Sequence, residues 1–193
     1  MKIAITGGIG SGKTVAVSAL KKAGIKVVNC DEVVKGLYKN RAFLKELKKI
    51  FPDEIKGRVF LKADKKKIAE KAFSDDKTYK LLTETVTERA LSVALSRAEK
   101  NDLSVVEVPL LFETKAEKYF DRVIVIKRDL KDRIESVKKR SNLSEEEITA
   151  RIKAQFDYEK KDLSRYIVLE NDQGKEELAE KVLAAVESCV KDL

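Results

Sequence analysis

The sequence predicts an α/β fold of three layers, a five-stranded parallel sheet flanked by helices. Three observations predict it. The apolar run Ile3-Ala4-Ile5 leads into a glycine-rich segment and then a helix start. Four more short apolar runs follow, at 26–29, 104–108, 122–126 and 166–169, with helical sequence between most of them. Strands joined through helices imply right-handed crossovers, hence parallel strands covered on both faces.

Taken in order, residues 2–6 form the first strand, and Lys13 to Ala23 the first helix, stopped by Gly24. Lys26-Val27-Val28-Asn29 is the second strand, finishing at Cys30-Asp31. Helices are expected over 32–39 and 41–50. Phe51-Pro52-Asp53 breaks the pattern, and Gly57 marks a turn. Two further helices are expected near 64–73 and 76–100. Ser104-Val105-Val106-Glu107-Val108 is a β-branched third strand ending at Pro109, and Arg122 to Ile126 a fourth. A helix covers 130–140. Another starts at Ser144, where Ser144 and Glu147 can form a capping box. Tyr166 to Leu169 is the fifth strand, and 175–191 a closing amphipathic helix.

The glycine-rich segment carries the chemistry. Gly7-Gly8-Ile9-Gly10-Ser11-Gly12-Lys13-Thr14 is a complete G-x-x-x-x-G-K-T phosphate-binding loop in the strand-to-helix context the motif requires. Its glycines let successive N–H groups of Gly8, Ile9, Gly10, Ser11 and Gly12 turn into one concavity that binds phosphate oxygens. The helix start adds its positive end to the same place. Lys13 supplies a charge for the β- and γ-phosphates, and the Thr14 hydroxyl is placed to ligate Mg²⁺. The expected ligands are ATP and Mg²⁺.

Ligands of parallel sheets bind at the carboxyl ends of the strands. That rule marks Asp31, Glu107, Pro109 and Asn171 in addition to the loop. The stretch from about 32 to 100 contains only helices between two strands and is too long for a simple crossover. It is expected to form a helical lobe on the substrate side. Residues 131–162 form a helical hairpin carrying arginines, which suits a lid. The remaining segments, 1–31, 101–130 and 163–193, form the nucleotide-binding core.

Composition limits the partners. The 193 residues include 41 Lys and Arg against 33 Asp and Glu, with no His, for a net charge of +8. The basic residues are scattered along helices among acidic ones, and no aromatic-basic interleaving suited to stacking bases is present, so no nucleic-acid partner is expected. No run is long enough to span a membrane. The two cysteines, Cys30 and Cys189, have no metal spacing, and no leader precedes the first strand. The expectation is a cytoplasmic protein acting on a small molecule.

Several segments together resemble the dephospho-coenzyme A kinases, along the whole chain. Ile5 to Thr14 is similar to that family's T-G-G-I-G-S-G-K-S opening, and Asp31 falls where the family carries an Asp after its second strand. Glu107-Val108-Pro109-Leu110-Leu111-Phe112-Glu113 resembles D-x-P-L-L-F-E, the most specific segment. Arg140, Leu143-Ser144 and Arg151-Ile152-x-x-Gln155 resemble the lid pattern, and Asn171 matches a nucleotide-side Asn after the last strand. Three positions depart from the family. Glu107 replaces the usual Asp. Asp64-Lys65 stands for an Asp-Arg pair in the substrate lobe, where Lys lacks the bidentate geometry of Arg. Thr83-Glu84 stands for a His-Pro.

The resemblance implies transfer of the ATP γ-phosphate to the ribose 3′-hydroxyl of dephospho-coenzyme A. Asp31 is then the candidate base for that hydroxyl, its alternative being a helix cap or turn. Glu107 is a metal-side acid, or else a buried strand end in an ion pair. Arg140 is the candidate transition-state cation, its planar fork matching phosphoryl oxygens. Arg133 and Arg151 are either lid arginines or ordinary surface charges. Pro109, Leu110, Leu111 and Phe112 line a substrate groove or pack under the helical lobe, and Asp64 and Lys65 are further substrate candidates. The alternatives are another small-molecule kinase acting on a nucleoside, a nucleotide or shikimate, and a nucleotide-driven switch. A switch would need an N-K-x-D motif, which is absent.

Overall fold

In a computed structural model the described residues are 1–58, 60–141, 143–160 and 162–191. In chain order they form β1 (Lys2–Thr6), α1 (Lys13–Lys22), β2 (Val27–Asn29), α2 (Cys30–Leu37), α3 (Arg41–Leu47), β3 (Ile55–Lys56), β4 (Lys62–Ala63), α4 (Lys65–Phe73) and α5 (Asp76–Ala98). Then follow β5 (Ser104–Glu107), a 3₁₀ turn (Ala116–Tyr119), β6 (Arg122–Lys127), α6 (Leu130–Lys138), α7 (Glu145–Lys153), β7 (Ile167–Glu170) and α8 (Lys175–Lys191).

The five-stranded sheet has the order β2-β5-β1-β6-β7. β1 pairs in parallel with β5 on one side and β6 on the other, and β6 pairs in parallel with β7. The chain leaves β1 toward β2 and β5 on one side, then crosses to β6 and β7 on the other. The strand order therefore reverses at β1, and a crevice opens at its carboxyl end. The phosphate loop occupies that point.

Residues 1–28 and 97–193 form one compact unit, and 29–96 a second. In the first, Ile3, Ile5, Val105, Ile124 and Ile126 of the sheet pack against Ala16 and Leu20 of α1 and Leu178, Val182, Val186 and Cys189 of α8. The α8 positions recur at helical spacing, giving one apolar stripe. Central strands buried on both faces need continuous apolar runs, and Val123 to Ile126 supply one. The second unit has its own core, with Phe43, Leu47, Phe51, Ile55 and Ile68 buried. Tyr38 meets Phe43 edge-on at 5.8 Å there.

The main departure from the sequence reading lies in this second unit. A small antiparallel hairpin, Ile55–Lys56 against Lys62–Ala63, interrupts what was expected to be all helix. Two residues per strand are too few to show an alternating pattern, so only the turn at Gly57 was legible. The 3₁₀ turn at 116–119 is equally short.

Candidate functional site

β1 delivers the chain into the loop, and Gly12 caps α1 in a left-handed conformation, φ 112°; Gly10 is also left-handed, φ 80°. These angles are accessible to glycine at little cost and strain other residues. No acidic side chain lies in the first turn of α1. Its positive end is therefore uncompensated by side chains there and open to an anion. The Lys13 ammonium folds over the loop, with Nζ 2.5 Å from the carbonyl oxygen of Gly7 and 2.9 Å from that of Gly8. Thr14 is exposed beside it.

Residues distant in sequence brace the loop. The Asn171 side-chain amide, just past β7, donates to the Ser11 carbonyl at 2.7 Å. Asn171 is buried, and it presses so close that a Cβ on Gly12 would lie 2.5 Å from its Nδ2. The Ile9 N–H donates to Gln155 Oε1 at 2.8 Å, and the Ile9 carbonyl accepts from Arg133 Nε at 3.0 Å. The Tyr158 hydroxyl lies 3.3 Å from Thr6 Oγ1 at the end of β1. Burial pushes the Tyr158 phenol up to about 12, against the opposing hydrogen bond to Thr6. Burial likewise lowers the Arg133 guanidinium from its ordinary value, while Glu159 and Tyr158 act to raise it. Arg133 is thus no surface charge, whereas Arg151 is exposed.

The carboxyl end of β5 lies beside the loop. Glu107 is buried there, in register with Ile5 of β1. The following Pro-Leu-Leu-Phe-Glu segment divides its roles. Pro109 and Leu110 are half-buried, but Leu111 is fully buried, so its side chain belongs to the core and not to a substrate surface. Phe112 packs on Phe156, Tyr158 and Tyr166, with ring centroids at 4.5, 6.0 and 5.1 Å. Glu113 accepts from the Phe156 N–H at 2.8 Å. Phe112 and Glu113 therefore hold the segment after α7, which is the one that reaches the loop through Gln155 and Tyr158. Leu111 is thus enclosed in the core, while Phe112 is half-buried within an aromatic cluster.

Arg140 is exposed, just beyond the C-terminal cap of α6. It follows Arg133 by seven residues and lies two residues past the end of α6 at Lys138. In the second unit, Asp31 occupies the first turn of α2, but it is not the cap. Asn29 is, its side chain accepting from the Glu32 N–H at 2.9 Å. Asp31 is exposed. Asp64 caps α4 by accepting from the Lys67 N–H, and the Lys65 ammonium stands 4.5 Å over the Tyr38 ring. Both substrate candidates in this region thus have local structural contacts.

The sequence reading did not recognise Tyr158 and gave Gln155 no role. One signal was present: the motif fixes glycine at positions 7 and 12, yet 8 and 10 are glycine as well. Both face Arg133 at close range.

The family model described as dephospho-CoA kinase matches residues 1–177. A dephospho-CoA kinase of Thermus thermophilus is 36% identical over 187 residues, covering 95% of this chain and 89% of the relative. A dephospho-CoA kinase of Wolinella succinogenes is 30% identical, covering 98% and 95%. Among solved structures, TT1252 from Thermus thermophilus is similar with a TM-score of 0.81 and 32% identity, covering 97% of this chain and 96% of that one.

Proposed function

The chain belongs to the dephospho-CoA kinase family and transfers phosphate from ATP to dephospho-CoA; we propose that the γ-phosphate goes to the ribose 3′-hydroxyl, with the residues assigned below. The observation that carries the assignment is the braced phosphate loop at the point where the strand order reverses, with Lys13 folded over it.

In this mechanism the loop N–H groups and the positive end of α1 hold the triphosphate, except the Ile9 N–H, which is expected from the sequence to join them but is taken by Gln155. Lys13 leaves its carbonyl partners for the β- and γ-phosphates. Asp31 accepts the proton of the acceptor hydroxyl as that oxygen attacks. Arg140 supplies the cation that meets charge developing on the transferred group. Its support is its place just past the end of α6, the helix whose Arg133 bonds the loop, and its match to the family's lid pattern. Closure of residues 131–162 would bring it in and exclude water. Pro109, Leu110 and Phe112, all half-buried, and the exposed Asp64 and Lys65 are the substrate-side candidates.

The donors fit Mg²⁺. The Thr14 hydroxyl and the Glu107 carboxylate are hard oxygen groups flanking the loop, and among the described residues no cluster of three His, Cys, Asp or Glu forms a dedicated metal cage. Few protein ligands with waters and phosphates completing the shell is the usual Mg²⁺ arrangement. When bound, the ion neutralises phosphate charge. No helix among the described residues is long and apolar enough to cross a membrane, and we assign the protein to the cytoplasm, where ATP and a reducing milieu coexist.

ADP release, measured with a coupled assay across dephospho-CoA, nucleosides, nucleotides and shikimate, tests the reading. Turnover is expected with dephospho-CoA, and the product should carry phosphate at the 3′ position. Preference for a nucleoside or shikimate would overturn it.

A further inference from the structure

Ile9 stands in the phosphate loop with both of its main-chain polar groups held by side chains more than a hundred residues away in sequence. Gln155 takes the N–H at 2.8 Å, and Arg133 Nε donates to the carbonyl at 3.0 Å. Helix α6 approaches so closely that a Cβ on Gly8 would lie 2.2 Å from Arg133 Nη2, and one on Gly10 would lie 2.6 Å from the Arg133 carbonyl oxygen. Arg133 is 6% exposed. A glycine-rich loop left unheld samples many shapes, and few of them converge their N–H groups on one phosphate.

We propose that Arg133 and Gln155 are positioning residues that clamp the Ile9 peptide groups, Arg133 acting as a hydrogen-bond donor to the loop and not as a charge on the phosphates. The proposal rests on the reading that this loop binds ATP. It explains the two glycines the motif does not require: Gly8 leaves room for the guanidinium, and Gly10 leaves room for the α6 backbone. It also explains how the hairpin that carries Arg140 can set the shape of the loop. One clamp residue lies on α6 and the other follows α7, so a shift of either helix moves the Ile9 peptide groups.

The test compares Arg133→Met, which removes donor and charge, with Arg133→Gln, which removes the charge but keeps an N–H donor. The readout is kcat/KM for MgATP at saturating dephospho-CoA, with urea unfolding to correct for the folded fraction. Misplacing reactive groups by about 1 Å costs on the order of 10²-fold, so Arg133→Met is expected to lose about 10–100-fold and Arg133→Gln to recover most of that. An Arg133→Gln as impaired as Arg133→Met would overturn the donor role in favour of charge. Unchanged kcat/KM in Arg133→Met would reduce the contact to packing and also overturn it. A second variant keeps Arg133 in place: Gly8→Ala pushes the guanidinium off Ile9. Its loss should match that of Arg133→Met and should not add to it in the double variant, because both act through one contact. Additive losses would count against the clamp. Wild-type turnover with dephospho-CoA tests the kinase reading separately, since the clamp is read only from ratios to wild type.

Discussion

The Asn171 side-chain amide donates to the Ser11 main-chain carbonyl at 2.7 Å, with both residues buried. The end of β7 thereby props the back of the phosphate loop, in the place where the family resemblance implied a nucleotide contact.

Asn171→Ala should leave that carbonyl without its donor in a site water does not readily reach. Losing such a partner costs about 1–3 kcal/mol. The expected outcome is a lower Tm together with a raised KM for ATP. An unchanged Tm with raised KM would instead favour direct nucleotide contact.

The first turn of α2 separates a structural residue from a proposed catalytic one. Asn29 is the cap, so Asn29→Ala should cost about 0.5–2 kcal/mol of stability. Asp31→Asn should hold its Tm but lose about 10²–10⁴-fold in kcat, because the amide cannot take the hydroxyl proton. A destabilised Asp31→Asn with normal kcat would end the base assignment.

Arg140→Ala should lower kcat by about 10²–10³-fold, the usual scale for removing one donor to developing charge, with little change in ATP affinity. Arg140→Lys should recover only part, since a point charge lacks the fork. Hydrogen exchange over 131–141 and 143–160 should slow when both substrates are present. A silent Arg140→Ala with unchanged exchange would make the hairpin a fixed element.

Tyr158 predicts an alkaline limit to stability. Its folded-state value near 12 stands above the ordinary tyrosine value of 10.0. The neutral phenol is therefore favoured in the fold. The resulting stability is fully present below pH 10 and is lost as pH rises from there to about 12, by roughly 2–3 kcal/mol for two units. Tyr158→Phe has no such ionisation. Urea unfolding should therefore show wild type losing more stability than Tyr158→Phe between pH 9 and 12. Parallel curves for the two proteins would refute the assignment.

The Gly7–Thr14 loop, the five strands, the Ser144 capping box and the α8 stripe were all legible in the sequence. Each rests on a local rule: glycine where φ is positive, alternation or helical spacing for buried faces, a hydroxyl three residues before its carboxylate. A parallel sheet then follows, because strands joined through helices need crossovers of one hand, whereas the strand order β2-β5-β1-β6-β7 comes from the tertiary structure. The bracing of the loop follows no local rule. Arg133, Gln155, Tyr158 and Asn171 reach residues 6–11 from 124 to 160 positions away. The sequence offers Arg133 as a lid arginine or a surface charge, Gln155 as part of a lid pattern and Asn171 as a nucleotide-side amide, and it does not mark Tyr158. Leu111 and Phe112 carry the same lesson, since apolar character alone cannot say whether a side chain faces substrate or an aromatic cluster. Sequence determined what the loop is, because backbone geometry demands particular residues at adjacent positions. Only the tertiary structure decided what holds it, because a buried hydrogen bond is specified by where two distant segments meet.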